Sequence, residues 1–201
     1  MKKQQSGFTL VEIAIVMVII GLLLGGVLKG QEVINNARIK NVNNDYNGVS
    51  AAVYSYQDRY RALPGDDSAA DAHVGVITNA NGGGGGVIDG AFDAVCTAPI
   101  AAADAESCKA WSHLRSAGLI SGAGASGALP TNAFGGVMGI ESDAETIVGL
   151  VVGFSTVPPE VAQILDVQND DGAADTGDVQ TLGTGPAYAD MVNAVSMYFK
   201  F

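Results

Sequence analysis

The first apolar run constrains this chain more than any other feature. From Ile13 to Leu28 there is no charged residue, only Ile, Val, Leu, Met, Ala and Gly. Counted from Phe8 the run is 21 residues, long enough as a helix to cross the ~30 Å of hydrocarbon in a bilayer. One charge, Glu12, sits inside it. A carboxylate in hydrocarbon is costly unless a partner neutralises it, so Glu12 is a functional residue by default.

Three readings of the run compete. A secretory signal places a small-x-small cleavage site after the apolar stretch and needs no acid within it; Gly25-Gly26-Val27-Leu28-Lys29-Gly30 fits that poorly. A plain signal anchor accounts for the length and for the Lys2/Lys3 flank, but leaves Glu12 unexplained. The third reading is a resemblance. Gly7-Phe8-Thr9-Leu10-Val11-Glu12, behind a short basic leader, resembles the class III signal of type IV prepilins and type II secretion pseudopilins.

The resemblance implies a leader of residues 1–7, cut between Gly7 and Phe8 by a prepilin peptidase, with N-methylation of Phe8. It also implies self-association into a helical filament, in which Glu12 pairs with the new N-terminal ammonium of a neighbouring subunit. In an apolar filament core the two charges neutralise each other, whereas either alone is costly. The implied partners are the peptidase and an inner-membrane assembly platform. The implied location is a single-pass inner-membrane precursor with an extracytoplasmic C-terminal domain, then a filament in the periplasm or at the cell surface.

After Lys29 the pattern turns amphipathic. Ile39, Val42, Tyr46, Val49, Val53, Tyr56 and Tyr60 recur at spacings of three and four, which predicts one buried face on a long helix. A coiled coil is the rival reading, but the stripe lacks charged e/g pairing, so it is expected to pack on the chain's own domain. Helix over 8–60 makes a rod of about 80 Å, stopped by Leu63-Pro64-Gly65. Gly21, Gly25, Gly26 and Gly30 each weaken it by ~1 kcal/mol against alanine, and the proline many pilins carry near Lys29 is absent. The expected segments are 8–28 as the membrane or filament-core helix, 29–62 as the amphipathic half of the spine, and 63–201 as the globular domain.

Tyr60-Arg61-Ala62-Leu63-Pro64-Gly65-Asp66-Asp67 resembles a turn found in a large group of pilin-like proteins. The stretches around Glu106-Ser107, Trp111-Ser112-His113-Leu114 and Ala117-Gly118-Leu119-Ile120, and around Asp170-Asp171-Gly172 and Gly177, resemble the same group. From the residues themselves, Asp104 is expected to cap a helix running to about Ala117, with Gly118 as its left-handed stop. Trp111 reads as core and His113 as a surface or half-buried side chain. Strands are predicted at 134–140, 146–154, 178–182 and 194–201, with a short helix from Pro158-Pro159-Glu160 to about Val167. The glycines at 82–86 read as a flexible loop tip, and without a following Gly-Lys-Ser/Thr they are not a phosphate loop. The expected fold is α+β and pilin-like: a long N-terminal α-helical spine packed against a small antiparallel β-sheet domain with one or two extra short helices.

Ten Lys and Arg against 21 Asp and Glu give a net charge of −11. Such a surface repels phosphate, so nucleic acid is not an expected partner. Cys96 and Cys108 do not by themselves fix a compartment. In the oxidising space that the resemblance implies, they are expected to pair, stabilising the domain by about 3 kcal/mol. Asp166, Asn169, Asp170, Asp171, Asp175 and Asp178 form the one plausible ion site, suited to calcium, although their order does not match an EF-hand; an Asx turn after a helix explains the same residues. No other cofactor is expected, and no catalytic constellation is evident, so an enzyme is not expected. The expected function is a structural subunit of a type IV pilus or type II secretion pseudopilus. The alternative is a minor, tip-located pilin that binds a surface or a secreted substrate.

Overall fold

A computed structural model of the chain describes residues 9–75, 80–182, 185 and 187–201. In chain order the elements are α1 (Leu10–Tyr60), α2 (Ala70–Val74), α3 (Glu106–Ser116), β1 (Met138–Ala144), β2 (Ile147–Val157), α4 (Pro159–Asn169), β3 (Val179–Thr181), a 3-10 turn at Tyr188–Asp190 and β4 (Val195–Lys200). The strands form one antiparallel sheet in the order β1-β2-β4-β3. A long N-terminal helix with a small antiparallel sheet and a few short helices is the α+β, pilin-like arrangement that the sequence predicts. The chain divides into two compact units, Met1–Lys40 and Asn41–Phe201.

In the first unit α1 runs unbroken through Gly21, Gly25, Gly26 and Gly30. Every described side chain from Thr9 to Arg38 is exposed. The apolar surface of this stretch is therefore covered by none of the described residues.

In the second unit the predicted stripe becomes core. Val42, Val49, Val53 and Tyr56 are buried, and Tyr46 and Tyr60 half-buried. The ring of Tyr46 lies 5.2 Å from that of Phe199 on β4, and its hydroxyl donates to the Lys200 carbonyl at 2.6 Å. Phe154 of β2 meets Phe199 edge-on at 5.5 Å, so the sheet face carrying these two rings receives the helix.

The opposite face is covered by the segment that includes Ile88 and Phe92. The Ser142 N–H donates to the Ile88 carbonyl (3.2 Å) and the Ile88 N–H to Ser142 Oγ (2.8 Å). Phe92 lies over Gly139 and Gly153, which are register partners across β1 and β2. A Cβ on Gly139 would stand 1.8 Å from the Phe92 carbonyl oxygen, and one on Gly153 2.4 Å from the ring. Phe92 also meets Tyr198 edge-on at 5.3 Å. The two glycines are a window cut in the sheet for one aromatic side chain.

β3, β4 and α4 fall within two residues of their predicted bounds, whereas β1 begins four residues later than predicted. The reason is Asn132. Its Oδ1 accepts from the Phe134 and Gly136 N–H groups, and its Nδ2 donates to the Val137 and Ser155 carbonyls. These bonds hold the residues just before β1 in a turn that their β-forming composition does not announce.

Two predictions come from the sheet. Thr156 is exposed and adopts φ 62° at an irregularity in the β2–β4 ladder, a backbone region that strains a β-branched residue by about 1 kcal/mol or more. Thr156→Gly is expected to raise the melting temperature of the detergent-solubilised chain by a few degrees; a fall would show that the φ value is not the dominant strain. The second concerns Glu141, which accepts the Phe92 N–H at 2.9 Å. Burial, with Asp93 and Glu145 nearby, pushes its carboxyl up from 4.5 to about 6. The fold thus favours the protonated form, so stability falls as pH rises from about 4.5 to about 6 and levels off above. Solvent screening of this half-exposed group keeps the effect under about 1 kcal/mol. Glu141→Gln retains the acceptor and is expected to flatten this slope, read from melting temperatures at pH 4.5, 6 and 7.

Candidate functional site

The first described residues organise the start of α1. Glu12 Oε2 accepts from the Thr9 N–H (2.8 Å) and from Thr9 Oγ1 (2.7 Å), while Thr9 Oγ1 accepts from the Glu12 N–H (3.3 Å). This is a reciprocal capping box, which occupies donors that a helix start otherwise leaves orphaned. Sequence reasoning singled out Glu12 and passed over Thr9, although Thr9-Leu10-Val11-Glu12 is the Thr-x-x-Glu signature of such a cap. In the single chain Glu12 is therefore not bare: its partners are in the first turn of its own helix. The Gly7–Phe8 junction lies outside the described residues.

At the other end of α1 the turn through Leu63-Pro64-Gly65 is built around buried polar groups. Gly65 has φ 93°, and a Cβ there would stand 2.4 Å from the Glu106 carbonyl oxygen, so only glycine fits. Asp67 is buried and accepts from the Tyr56 hydroxyl (2.8 Å), from the Ala69 N–H (3.0 Å) and from His73 Nδ1 (2.7 Å). Burial alone would raise the Asp67 carboxyl, but the His73, Tyr56 and Ala69 bonds outweigh it and hold the group below the usual carboxylate range. Burial and the same carboxylate push the Tyr56 hydroxyl up. His73 stacks on Tyr60 at 5.4 Å between ring centroids.

His113 corrects the surface or half-buried placement expected from sequence. It is fully buried, with Nδ1 accepting the Gly65 N–H (2.9 Å) and Nε2 placed 2.6 Å from the Ala80 carbonyl. These partners fix a neutral imidazole protonated on Nε2, and burial holds its pKa below the ordinary value. The 82–86 glycines are not a free loop tip either. Gly85 and Gly86 N–H groups both reach the Asp66 carboxylate at 2.7 Å, and the Gly83 N–H reaches Glu106 Oε1 at 2.6 Å. Successive backbone N–H groups make an anion nest, and here the anions it holds are the protein's own carboxylates.

Helix α3 ends as expected. Gly118 takes φ 71°, its N–H bonds the Arg115 carbonyl, and the Leu119 N–H bonds the Leu114 carbonyl, each at 3.0 Å, which is a Schellman stop. Its start differs. The residue before α3 is Ala105, with no side-chain cap, and Asp104 instead accepts from the Ala101 N–H (2.7 Å) and the Thr97 hydroxyl. That bonding closes a turn within the loop bridged by the Cys96–Cys108 disulfide.

Of the six residues considered for calcium, Asp166, Asp170 and Asp171 bring carboxylate oxygens within 4.8 Å of one another. The Asp178 carboxylate pairs instead with Lys200 (3.5 Å), and Asn169 bonds Asn43 and the Leu165 carbonyl. The trio is held by protein donors. Asp166 takes the Gly172 N–H and the Tyr188 hydroxyl, Asp170 the Asp178 and Val179 N–H groups, and Asp171 the Ala173 N–H and the Thr176 hydroxyl. Burial, then the neighbouring Asp171 and Asp170, push the Asp166 carboxyl up. Only the Asp171 bond to the Ala173 N–H is of the Asx type; Asp166 and Asp170 are held by donors farther along the chain.

Residues 2–28 match the family model described as the prokaryotic N-terminal methylation motif, the signal of type IV pilins and pseudopilins. The N-terminus thus carries a signal that directs processing by a prepilin peptidase and marks a membrane-anchored precursor. Among the described residues, α1 is the one helix long and apolar enough to cross a membrane. No curated protein matches the chain.

The burial of His113 carries a prediction. His113→Leu keeps the volume but strands the Gly65 N–H and the Ala80 carbonyl, and is expected to cost about 3 kcal/mol. Chemical denaturation of the detergent-solubilised chain measures it, and a loss below about 0.5 kcal/mol would contradict the bonding described.

Proposed function

We propose that this protein is a structural subunit of an extracytoplasmic filament, a type IV pilus or a type II secretion pseudopilus. One observation carries the reading: a capped helix, wholly exposed and apolar from Ile13 to Leu28, makes up the second half of the stretch that matches the methylation motif. Such a surface is stable in only two settings, a bilayer or a bundle of identical helices. Release from the first into the second is what removal of residues 1–7 would permit. The leader carries Lys2 and Lys3, charges that resist withdrawal from the cytoplasmic face. Cleavage between Gly7 and Phe8 removes them and leaves an ammonium.

In the polymer, Glu12 exchanges part of its capping role for that ammonium on a neighbouring copy. Its two Thr9 donors are local and uncharged, whereas an ammonium in an apolar core cancels the full charge. The assembly platform and the peptidase are the partners of this cycle, and the second unit faces the extracytoplasmic space.

Mass spectrometry of the sheared or purified subunit is expected to find N-methyl-Phe8 at the N-terminus, and Met1 there would sink the reading. Glu12→Ala is expected to be processed like the wild type and to lose most filament assembly, measured as the sedimentable fraction.

A further inference from the structure

We propose that the groove over Gly48, between α1 and α3, is a docking site for a second copy of this chain, whose Lys40 pairs with Asp45 inside it. The inference rests on the filament reading above and names one contact within it. The groove has a volume of about 400 Å³, with Asp45 and Gly48 on one side and Trp111, Leu119 and Ile120 on the other.

Two features of the groove have no use inside the single chain. Gly48 sits in the interior of a helix, where glycine weakens it relative to alanine, and a Cβ there would meet nothing within 4 Å. No contact in the chain calls for the missing side chain, while a close-approaching neighbour would. Asp45 is half-buried, and among the described residues it has no ion pair or hydrogen bond; burial alone pushes its carboxyl up. A half-buried carboxylate without a donor, beside a helix position left open for close approach, calls for an occupant that supplies a cation.

The chain itself supplies the cation. Among the described residues, Lys29, Arg61 and Lys200 are in ion pairs, Arg59, Lys109 and Arg115 bond carbonyls, and Arg38 has a partner. Lys40 is the described cation with none. A surface whose spare cation and spare carboxylate occupy different places is complementary to a copy of itself in a head-to-tail manner. Between the parallel subunits of the filament reading, contacts of that kind propagate into an open helical polymer, whereas a two-fold arrangement of the same pair would close into a dimer.

The test uses the full chain in cells that process and polymerise it, with the sedimentable polymer as readout. Asp45→Lys and Lys40→Asp are each expected to lower polymer roughly tenfold, and the two together to restore it. Gly48→Leu is expected to abolish polymer while the melting temperature of the detergent-solubilised monomer stays level or rises. Wild-type chain that is cut but never polymerises would overturn the filament reading and this contact together. Wild-type polymer alongside any single variant that polymerises normally, or a reversed pair that stays defective, would overturn the contact alone.

Discussion

A buried carboxylate has to be met by donors, and Asp67 imposes that condition at the point where α1 ends. Its three donors come from α1 (Tyr56), from the following turn (Ala69) and from α2 (His73). Asp66 makes the same demand one residue earlier and draws in Gly85 and Gly86. His113 then ties α3 to Gly65 and Ala80. Two adjacent acids and one neutral imidazole thus set the order of four segments around the helix end. Leaving any of these groups unpaired costs more than most apolar contacts return. The apolar core of the second unit is assembled on that polar frame.

The parts of this fold legible in the sequence are those with a local period. The three-and-four stripe of α1, the Gly118 stop and the late strands depend on residues within a turn or two of one another. Trp111 was readable as core because its spacing on α3 places it with Cys108 and Leu114, all buried. What was not legible depends on partners far along the chain. The glycines at 82–86 look free until Glu106 and Asp66 are brought to them, and His113 looks superficial until Gly65 and Ala80 close over it. Asp104 had two local uses, a helix cap or a turn, and composition does not choose between them. Thr9 is legible as the first residue of a Thr-x-x-Glu cap, but the charge on Glu12 points first to a distant countercharge.

On the filament reading proposed above, Glu12 would serve two environments with different donors. In an isolated chain the capping box gives it hydrogen bonds without neutralising its charge. That suffices near a bilayer surface, where water and head groups screen the rest. It does not suffice in a closely packed apolar bundle, where a full countercharge is needed. On that reading the cap would make the stored state tolerable and leave a driving force for assembly.

The glycines of this chain divide by what a side chain would meet, a distinction that composition cannot draw. At Gly139 and Gly153 a Cβ collides with Phe92, and at Gly65 with the Glu106 carbonyl, so the fold itself requires glycine. At Gly21, Gly25, Gly26, Gly30 and Gly48, all within α1, a Cβ meets nothing within 4 Å. Helix propensity argues against glycine at those five positions, and nothing inside the chain argues for it. Among the described residues, the glycines that neither a contact nor a positive φ requires lie on α1, whose apolar stretch from Ile13 to Leu28 is exposed. That coincidence is what a surface shaped for close approach by other helices should show.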